Sequence, residues 1–163
     1  MPARWKEDQK LYHRSDTVRL RDFNYSDPAY VYFVTLCARH QKEPFKNEDL
    51  SNEIITALLH LKETKIFLYC YCLMPDHLHV AISPRNQNLS GILRDFKSYT
   101  TKISWRFGII GKLWQRNFYD HIARHDENLL TICQYILENP VRKGLVEEVE
   151  GWPYSALVDP LPL

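Results

Sequence analysis

Residues 66–83 read IFLYCYCLMPDHLHVAIS, and this stretch decides the fold. Two runs rich in aromatic and β-branched residues flank the letters MPD, and a proline followed by an aspartate is typical of a tight turn. The pattern predicts a hairpin of two strands, residues 66–73 and 77–83. Because residues two apart in a strand face the same side, we expect His77 and His79 to project together.

Further strands and helices are predicted on either side of this hairpin from apolar spacing. They are a central strand over residues 29–38, a helix over 48–61 capped by Asn47, a helix over 89–107, a strand over 114–124, and a third helix from a cap at Asp126 to near Asn139, before Pro140. This order predicts an α+β protein with a ferredoxin-like split βαβ sandwich. Its sheet should have four antiparallel strands, with the third helix added at the C-terminal end.

The composition indicates a single globular domain over residues 1–163, with 45% hydrophobic and 25% charged residues. Within it, residues 1–22 form a basic arm and residues 147–163 an acidic tail. No apolar run approaches the roughly 20 residues of a membrane helix, and the N-terminus lacks a secretory signal. The four cysteines form no Cys-x-x-Cys pair, and Cys70 and Cys72 fit buried free thiols. We therefore expect a cytoplasmic protein with no membrane partner.

The net charge of +1 conceals a separation of charges along the chain. Residues 85–116 contain seven basic residues and one acid. On the second helix they lie opposite the apolar stripe, where they either contact phosphates or form an ordinary solvated face. Trp114 and Phe118 could stack on unpaired bases or pack in the core. The residues that we predict to contact DNA are Arg94, Lys97, Thr101, Lys102, Arg106 and Arg116.

The histidine pair is the first feature with candidate chemistry. Two imidazoles side by side, at His77 and His79, can hold a divalent cation. Exposed or hydrogen-bonded histidines would give the same sequence. In either case we expect both side chains to point away from the core.

The third helix supplies the second feature. Its apolar residues cover one arc, whereas Tyr135 lies on the polar side, one turn before Asn139. Such a ring either covers a neighbouring surface or belongs to a site. A tyrosine and an amide that can act as a ligand therefore share one face.

Four blocks of the chain, in order, resemble the single-tyrosine HUH transposases, and most closely the REP-associated tyrosine transposases. The resemblance covers about residues 20–157, through DFNYSDPAYVYFVTLCARHQ, LMPDHLHVAI, GKLWQRNFYDHIARHDENL and YILENPVRKGLVEEVEGWPYSA. The histidine–hydrophobic–histidine motif alone is common by chance, whereas all four blocks in this order are not.

The resemblance implies a metal-dependent endonuclease and strand transferase that acts on single-stranded DNA, often at a hairpin, through a 5′-phosphotyrosine intermediate. His77 and His79 match the metal-binding histidines of that family, and Tyr135 matches its nucleophile. Asn139 falls where the family places a polar metal ligand, although related insertion-sequence enzymes often have glutamine there. Mg²⁺ and Mn²⁺ both suit two imidazoles and an amide oxygen. The resemblance allows either a monomer or a homodimer.

Several alternatives stay open at this point. Asp76 stands where asparagine is frequent, and it either contributes a carboxylate near the site or, in the interpretation that we prefer, closes the turn. Tyr119 is a second candidate nucleophile. A non-catalytic module that binds single-stranded nucleic acid would explain the charges without using the tyrosine or the histidines. A phosphoesterase that uses activated water would need no tyrosine.

Overall fold

An antiparallel sheet of six strands runs through the part of the chain that this computed structural model describes, residues 13–14, 25–39, 42–123 and 128–162. The strands lie in the spatial order β1-β5-β2-β4-β3-β6. Their bounds are β1 (His13–Arg14), β2 (Val31–Cys37), β3 (Ile66–Met74), β4 (His77–Pro84), β5 (Tyr119–Ala123) and β6 (Ser155–Leu157).

The four central strands confirm the predicted fold class. Their order, β5-β2-β4-β3, with a helix after β2 and another after β4, is the ferredoxin-like split βαβ arrangement. The sheet is larger than the predicted four strands, because β1 and β6 extend it at its two edges. These edge strands have two and three residues, which is too short to leave an alternating pattern in the sequence.

The described helices follow the predicted periodicity. They are α1 (Glu48–Thr64), α2 (Leu89–Ser104), α3 (Leu129–Leu137) and α4 (Asn139–Arg142), together with 3₁₀ turns over Pro44–Lys46, Trp105–Phe107 and Val149–Gly151. None of these helices is long and apolar enough to cross a membrane. The predicted cap of α1 is confirmed, since the Asn47 side chain accepts a hydrogen bond from the Leu50 amide.

The predicted N-terminal cap of the third helix needs correction. The helix begins at Leu129, and its cap is Asn128, whose side chain accepts from the Thr131 amide at 3.1 Å. Asp126, the predicted cap, lies outside the described residues. The helix ends at Leu137, two residues before Asn139, which confirms the predicted end near Asn139. Pro140 then stands in the first turn of α4, where a missing amide hydrogen costs nothing.

Both faces of the sheet are covered, and β2 separates them. Tyr32 and Val34 point into a core formed with α1 and α2. Val31 and Phe33 point to the opposite face, into a smaller core formed with α3. All four side chains are at most 1% exposed, which confirms the prediction that this strand is central. The tyrosine helix therefore packs on the face of the sheet that α1 and α2 leave open.

Candidate active site

The paired histidines lie on β4, on the same face of the sheet as α3. The Nε2 atoms of His77 and His79 are 3.0 Å apart, and the two rings are nearly perpendicular, at 85°. The structure thus brings the two imidazoles together, as the alternation of the strand predicts. One expectation is wrong: His79 is only 4% exposed and does not point away from the packed interior.

The Nδ1 atom of each imidazole, on the opposite side of the ring from Nε2, has a hydrogen-bond partner of its own. The Asp76 carboxylate accepts a hydrogen bond from His77 Nδ1 at 2.6 Å, and the Thr35 hydroxyl pairs with His79 Nδ1 at 2.8 Å. This arrangement directs both Nε2 atoms into one space. Partners of this kind fix the orientation and tautomer of histidines that bind metals.

Asp76 corrects our preferred interpretation, in which it only closes the turn. Its backbone carbonyl accepts from the Ala38 amide, but its side chain contacts His77. That hydrogen bond, more than any other cause, lowers the pKa of the Asp76 carboxyl below its ordinary value. The group is therefore an ionised carboxylate beside the histidine pair.

Thr35 is a site residue that the sequence reasoning missed. It lies on β2, directly opposite His79 in the register of the sheet, and only 9% of it is exposed. The one signal in the sequence is a hydroxyl inside an otherwise apolar strand, and 44 positions separate it from His79. Burial, reinforced by the nearby charges of His77 and Arg142, lowers the pKa of His79 well below its ordinary value, so its imidazole is neutral.

Asn139 reaches the histidine pair from the start of α4. Its Nδ2 atom is 3.4 Å from His77 Nε2, and the residue is 3% exposed. Its Oδ1 atom is buried and receives no hydrogen bond from any residue that the structure describes. A half-turn of the amide about its last side-chain bond exchanges these two atoms, which would place the oxygen toward His77. A buried oxygen without a donor costs free energy, and a cation would remove that cost.

These groups fit a small divalent cation. Two ligand atoms at right angles, each about 2.1 Å from a metal ion, are about 3.0 Å apart. The Nε2 atoms have this separation. Among the described residues, no group of three or more histidine, cysteine, aspartate or glutamate side chains is arranged so that it could hold a metal ion by itself. The set consists of two imidazoles and one amide, a mixed nitrogen and oxygen set that can coordinate a divalent cation.

Tyr135 lies on α3, one helical turn before Asn139, and its hydroxyl oxygen is buried. The Arg142 guanidinium covers its ring, with Cζ 3.7 Å from the ring centroid. The second candidate, Tyr119, is on the same face of the sheet, because Thr35 lies between it and His79 in one row across β5, β2 and β4. Its side chain is 36% exposed. Tyr119 therefore lies in the same row of the sheet as His79, whereas Tyr135 lies on the helix that packs on this face.

A groove of about 490 Å³ lies between α2 and the segment before β5. It is basic, and Lys112 and Trp105 are lining residues that the prediction did not include. Lys97 also braces the groove wall, since its Nζ donates to the carbonyls of Gln115 and Arg116 at 2.6 and 2.9 Å. The predicted DNA contacts that line the groove are Arg94, Lys97, Thr101, Lys102 and Arg116.

Three residues predicted near DNA are placed differently. Arg106 is not among the lining residues, because its guanidinium turns toward Glu53 on α1, 3.5 Å away. Trp114 and Phe118 are 2% and 4% exposed, so they pack in the core and cannot stack on bases as they stand. The Trp114 indole donates to the Thr100 hydroxyl at 2.8 Å. The fourth central strand accordingly begins at Tyr119, not at Trp114.

The groove and the histidine pair meet at one end of the sheet. The Gln115 amide, in the groove wall, donates to the Cys37 carbonyl at 2.8 Å. Cys37 ends β2 directly opposite His77. Two strand spacings, about 10 Å, therefore separate the groove wall from His77.

The same fold occurs in a transposase of known structure. A solved REP-associated tyrosine transposase, bound to a REP hairpin, has the same fold: the TM-score is 0.68 at 21% identity, over 85% of this chain and 82% of that one. A Haemophilus influenzae protein named provisionally as a REP-associated tyrosine transposase is 29% identical, over 77% of this chain and 78% of its own. The Escherichia coli REP-associated tyrosine transposase is 26% identical, over 61% and 59%. The family model for IS200-like transposases matches residues 28–139, and the chain belongs to that family.

Proposed function

We propose that this chain is a metal-dependent endonuclease and strand transferase that acts on single-stranded DNA at a hairpin and forms a 5′-phosphotyrosine intermediate on Tyr135. The observation that carries the proposal is the convergence of two imidazole nitrogens 3.0 Å apart with the amide of Asn139, which begins the helix that follows the helix of Tyr135. Membership of a transposase family supports DNA cleavage as the activity.

His77, His79 and Asn139 are the residues that would hold Mg²⁺ or Mn²⁺. When bound, such a cation supplies Lewis-acid polarisation of a phosphoryl oxygen. Asp76 and Thr35 keep the imidazoles oriented, and the low pKa of His79 keeps its nitrogen unprotonated. The Nε2 atoms of both imidazoles thus already face one space, so metal binding requires no further conformational change of the histidines.

The covalent step exchanges one phosphodiester for another. The Tyr135 oxygen forms a bond to phosphorus, the bond from phosphorus to the 3′ oxygen breaks, and the phenolic proton ends on the released 3′-hydroxyl. The phosphate at the 5′ end of the broken strand stays covalently bound to the tyrosine. Because the bond energy is conserved, a 3′-hydroxyl can reverse the step and rejoin a strand without ATP.

The nucleophile is not accessible in this conformation. Since the Tyr135 oxygen is buried, a phosphate can contact it only after the ring or α3 shifts. α3 is short, with nine residues. We expect DNA binding to expose the ring.

The basic groove is the proposed contact for the DNA backbone. It holds five of the predicted phosphate contacts, and its wall lies about 10 Å from His77. A hairpin is the proposed substrate, because the solved relative of the same fold is bound to one.

The test is a covalent adduct on a denaturing gel, with a hairpin oligonucleotide that carries single-stranded flanks. Wild type should give an adduct in Mn²⁺ or Mg²⁺ and none in excess chelator. Tyr135→Phe removes one oxygen and should abolish the adduct while hairpin affinity survives. Tyr119→Phe is the matched control, because it deletes the same atom on the same face and should keep the adduct. An adduct formed by Tyr135→Phe, or mapped to Tyr119, would overturn the assignment of the nucleophile.

A non-catalytic binding module is the second candidate, favoured only by the burial of the Tyr135 oxygen. It predicts hairpin binding without any adduct under every metal condition. A phosphoesterase that uses water predicts cleaved DNA without an adduct. The same gel separates all three.

A further inference from the structure

Arg142, at the end of α4, contacts both the backbone and the ring of the proposed nucleophile, Tyr135. Its Nη2 donates to the Tyr135 backbone carbonyl at 2.6 Å, and its guanidinium lies flat enough over the ring to bring Cζ within 3.7 Å of the centroid. The side chain is 18% exposed. Because the arginine is bound to both the backbone and the ring of Tyr135, it should stay with the tyrosine when α3 shifts.

Two further nitrogens of Arg142, Nε and Nη1, make no hydrogen bond with the residues that the structure describes. Nε is buried and has no hydrogen-bond acceptor among the residues that the structure describes. Nη1 is also buried, and its nearest carboxylate is that of Glu138, 3.6 Å away and 58% exposed. A guanidinium presents a planar set of donors that matches the oxygens of a phosphate. A buried charged donor that makes no hydrogen bond costs free energy. If Arg142 served only to cap the helix, that cost would have no compensation.

Arg142 is also one helical turn after Asn139, whose side-chain amide lies 3.4 Å from His77 Nε2. Its positive charge contributes to the lowered pKa of His79, and it opposes the rise in the pKa of Cys72 that burial causes. Burial lowers the pKa of Arg142 itself, an effect that the nearby Tyr135 and Glu138 partly oppose. The short helix α4 therefore carries one residue that contacts the histidine pair, Asn139, and one that contacts the Tyr135 ring, Arg142.

We propose that Arg142 is a catalytic residue that binds a non-bridging oxygen of the scissile phosphate and travels with Tyr135 as one unit. The proposal rests on the proposed function, since it needs Tyr135 to attack a phosphate. Arg142 would give the phosphate a second positively charged contact besides the metal ion. This contact comes from α4, which directly follows the helix that carries Tyr135.

A purely structural role makes a different prediction. If Arg142 only caps α3 and covers the ring, its loss should impair cleavage equally whatever charge the phosphate carries. If it binds the phosphate, its loss should matter less when the scissile phosphate is neutral. The decisive substrate is therefore a hairpin with a methylphosphonate at the scissile position, compared with the ordinary phosphodiester.

The experiment measures the rate of adduct formation at saturating hairpin and Mn²⁺ for wild type, Arg142→Gln and Arg142→Lys. On the phosphodiester we expect Arg142→Gln to lose about 100- to 1,000-fold, as when one transition-state donor is removed, and Arg142→Lys to lose less. On the methylphosphonate the deficit of Arg142→Gln should shrink by at least about tenfold, because there is no anionic oxygen to bind. Lys65→Gln is the matched control for a lost positive charge, since Lys65 precedes β3 at the far end of the sheet, about 27 Å along the strand from the histidines.

Two results would overturn the inference. One is a phosphodiester rate for Arg142→Gln within threefold of wild type. The other is the same deficit on both substrates, with Arg142→Lys as impaired as Arg142→Gln. Thermal unfolding and hairpin affinity of each variant separate a folding defect from a catalytic one. Failure of the proposed function looks different, because wild type itself would then form no adduct on the phosphodiester.

Discussion

Replacing Thr35 by valine should weaken metal binding without removing any proposed ligand. The Thr35 hydroxyl is 2.8 Å from His79 Nδ1, and the two residues are 9% and 4% exposed. Valine has almost the same volume but no hydroxyl, so Nδ1 loses this partner in a place that water hardly reaches. The cost of such a loss is about 1–3 kcal/mol. The imidazole can avoid that cost by moving its proton to Nε2, which is the nitrogen that the cation requires.

The expected magnitude follows from this choice of tautomer. Loss of a hydrogen-bond partner behind a histidine ligand typically lowers metal affinity by about 10- to 100-fold. If the histidine keeps its tautomer instead, the penalty falls on stability, and Tm should drop by about 2–4 °C for each kcal/mol in a chain of this size. Thr35→Ser keeps the hydroxyl and loses only a methyl group, so it should retain most of the metal affinity.

The assay is a titration of adduct formation with Mn²⁺ at fixed hairpin concentration, together with thermal unfolding in chelator. The half-saturating Mn²⁺ concentration should rise for Thr35→Val and change little for Thr35→Ser. A Thr35→Val protein that unfolds at the wild-type temperature and needs no more than twice the wild-type Mn²⁺ would refute the reasoning. The hydrogen bond to His79 would then have no role in holding the imidazole.

Three further outcomes are expected. Asp76→Ala should raise the half-saturating Mn²⁺ concentration by about tenfold or more, because His77 loses its carboxylate partner, and an unchanged titration would contradict that role. Lys102→Gln should reduce the slope of log affinity against log salt by about 0.7–0.9 for a lost phosphate contact, whereas Arg106→Gln, outside the groove, should leave the slope unchanged. Trp114→Phe should lower the free energy of unfolding in urea by at least about 1 kcal/mol through the lost indole hydrogen bond, and equal stability would show that this bond is unimportant.

Local periodicity explains why most of the fold could be predicted. The strands at residues 31–37, 66–74 and 77–84 and the helices at 48–64 and 89–104 lie within a few residues of the predicted limits. Each of these elements has an apolar pattern because one of its faces is buried. The pattern can therefore be recognised in the sequence without knowing which element packs against it. The edge strands and the late start of β5 were missed because pairing with a neighbour, and not an internal pattern, defines them.

The candidate site divides in the same way. His77, His79 and Tyr135 stand out in the sequence because their positions within a strand or a helix fix their direction. Thr35 could not be found, because the contact with His79 depends on which strands pair and in what register. The Asp76 side chain was assigned to the turn because a local explanation was sufficient for it. Only the three-dimensional structure shows that this carboxylate turns to the imidazole.

The two faces of the sheet give a physical reason to expect a single-stranded substrate at the proposed site. The basic groove belongs to the side of α2, whereas the histidine pair and Tyr135 belong to the side of α3. A nucleic acid that contacts both has to pass around the end of the sheet where Gln115 and Cys37 are joined. The distance is about 10 Å, which corresponds to about three stacked nucleotides at 3.4 Å each. A duplex is too stiff to bend around one strand end over that distance, since its persistence length is about 150 base pairs. A hairpin stem held at the groove can therefore deliver only an unpaired flank to the histidines, so the direction of the flank, and not its base pairing, should decide which phosphate reaches Tyr135.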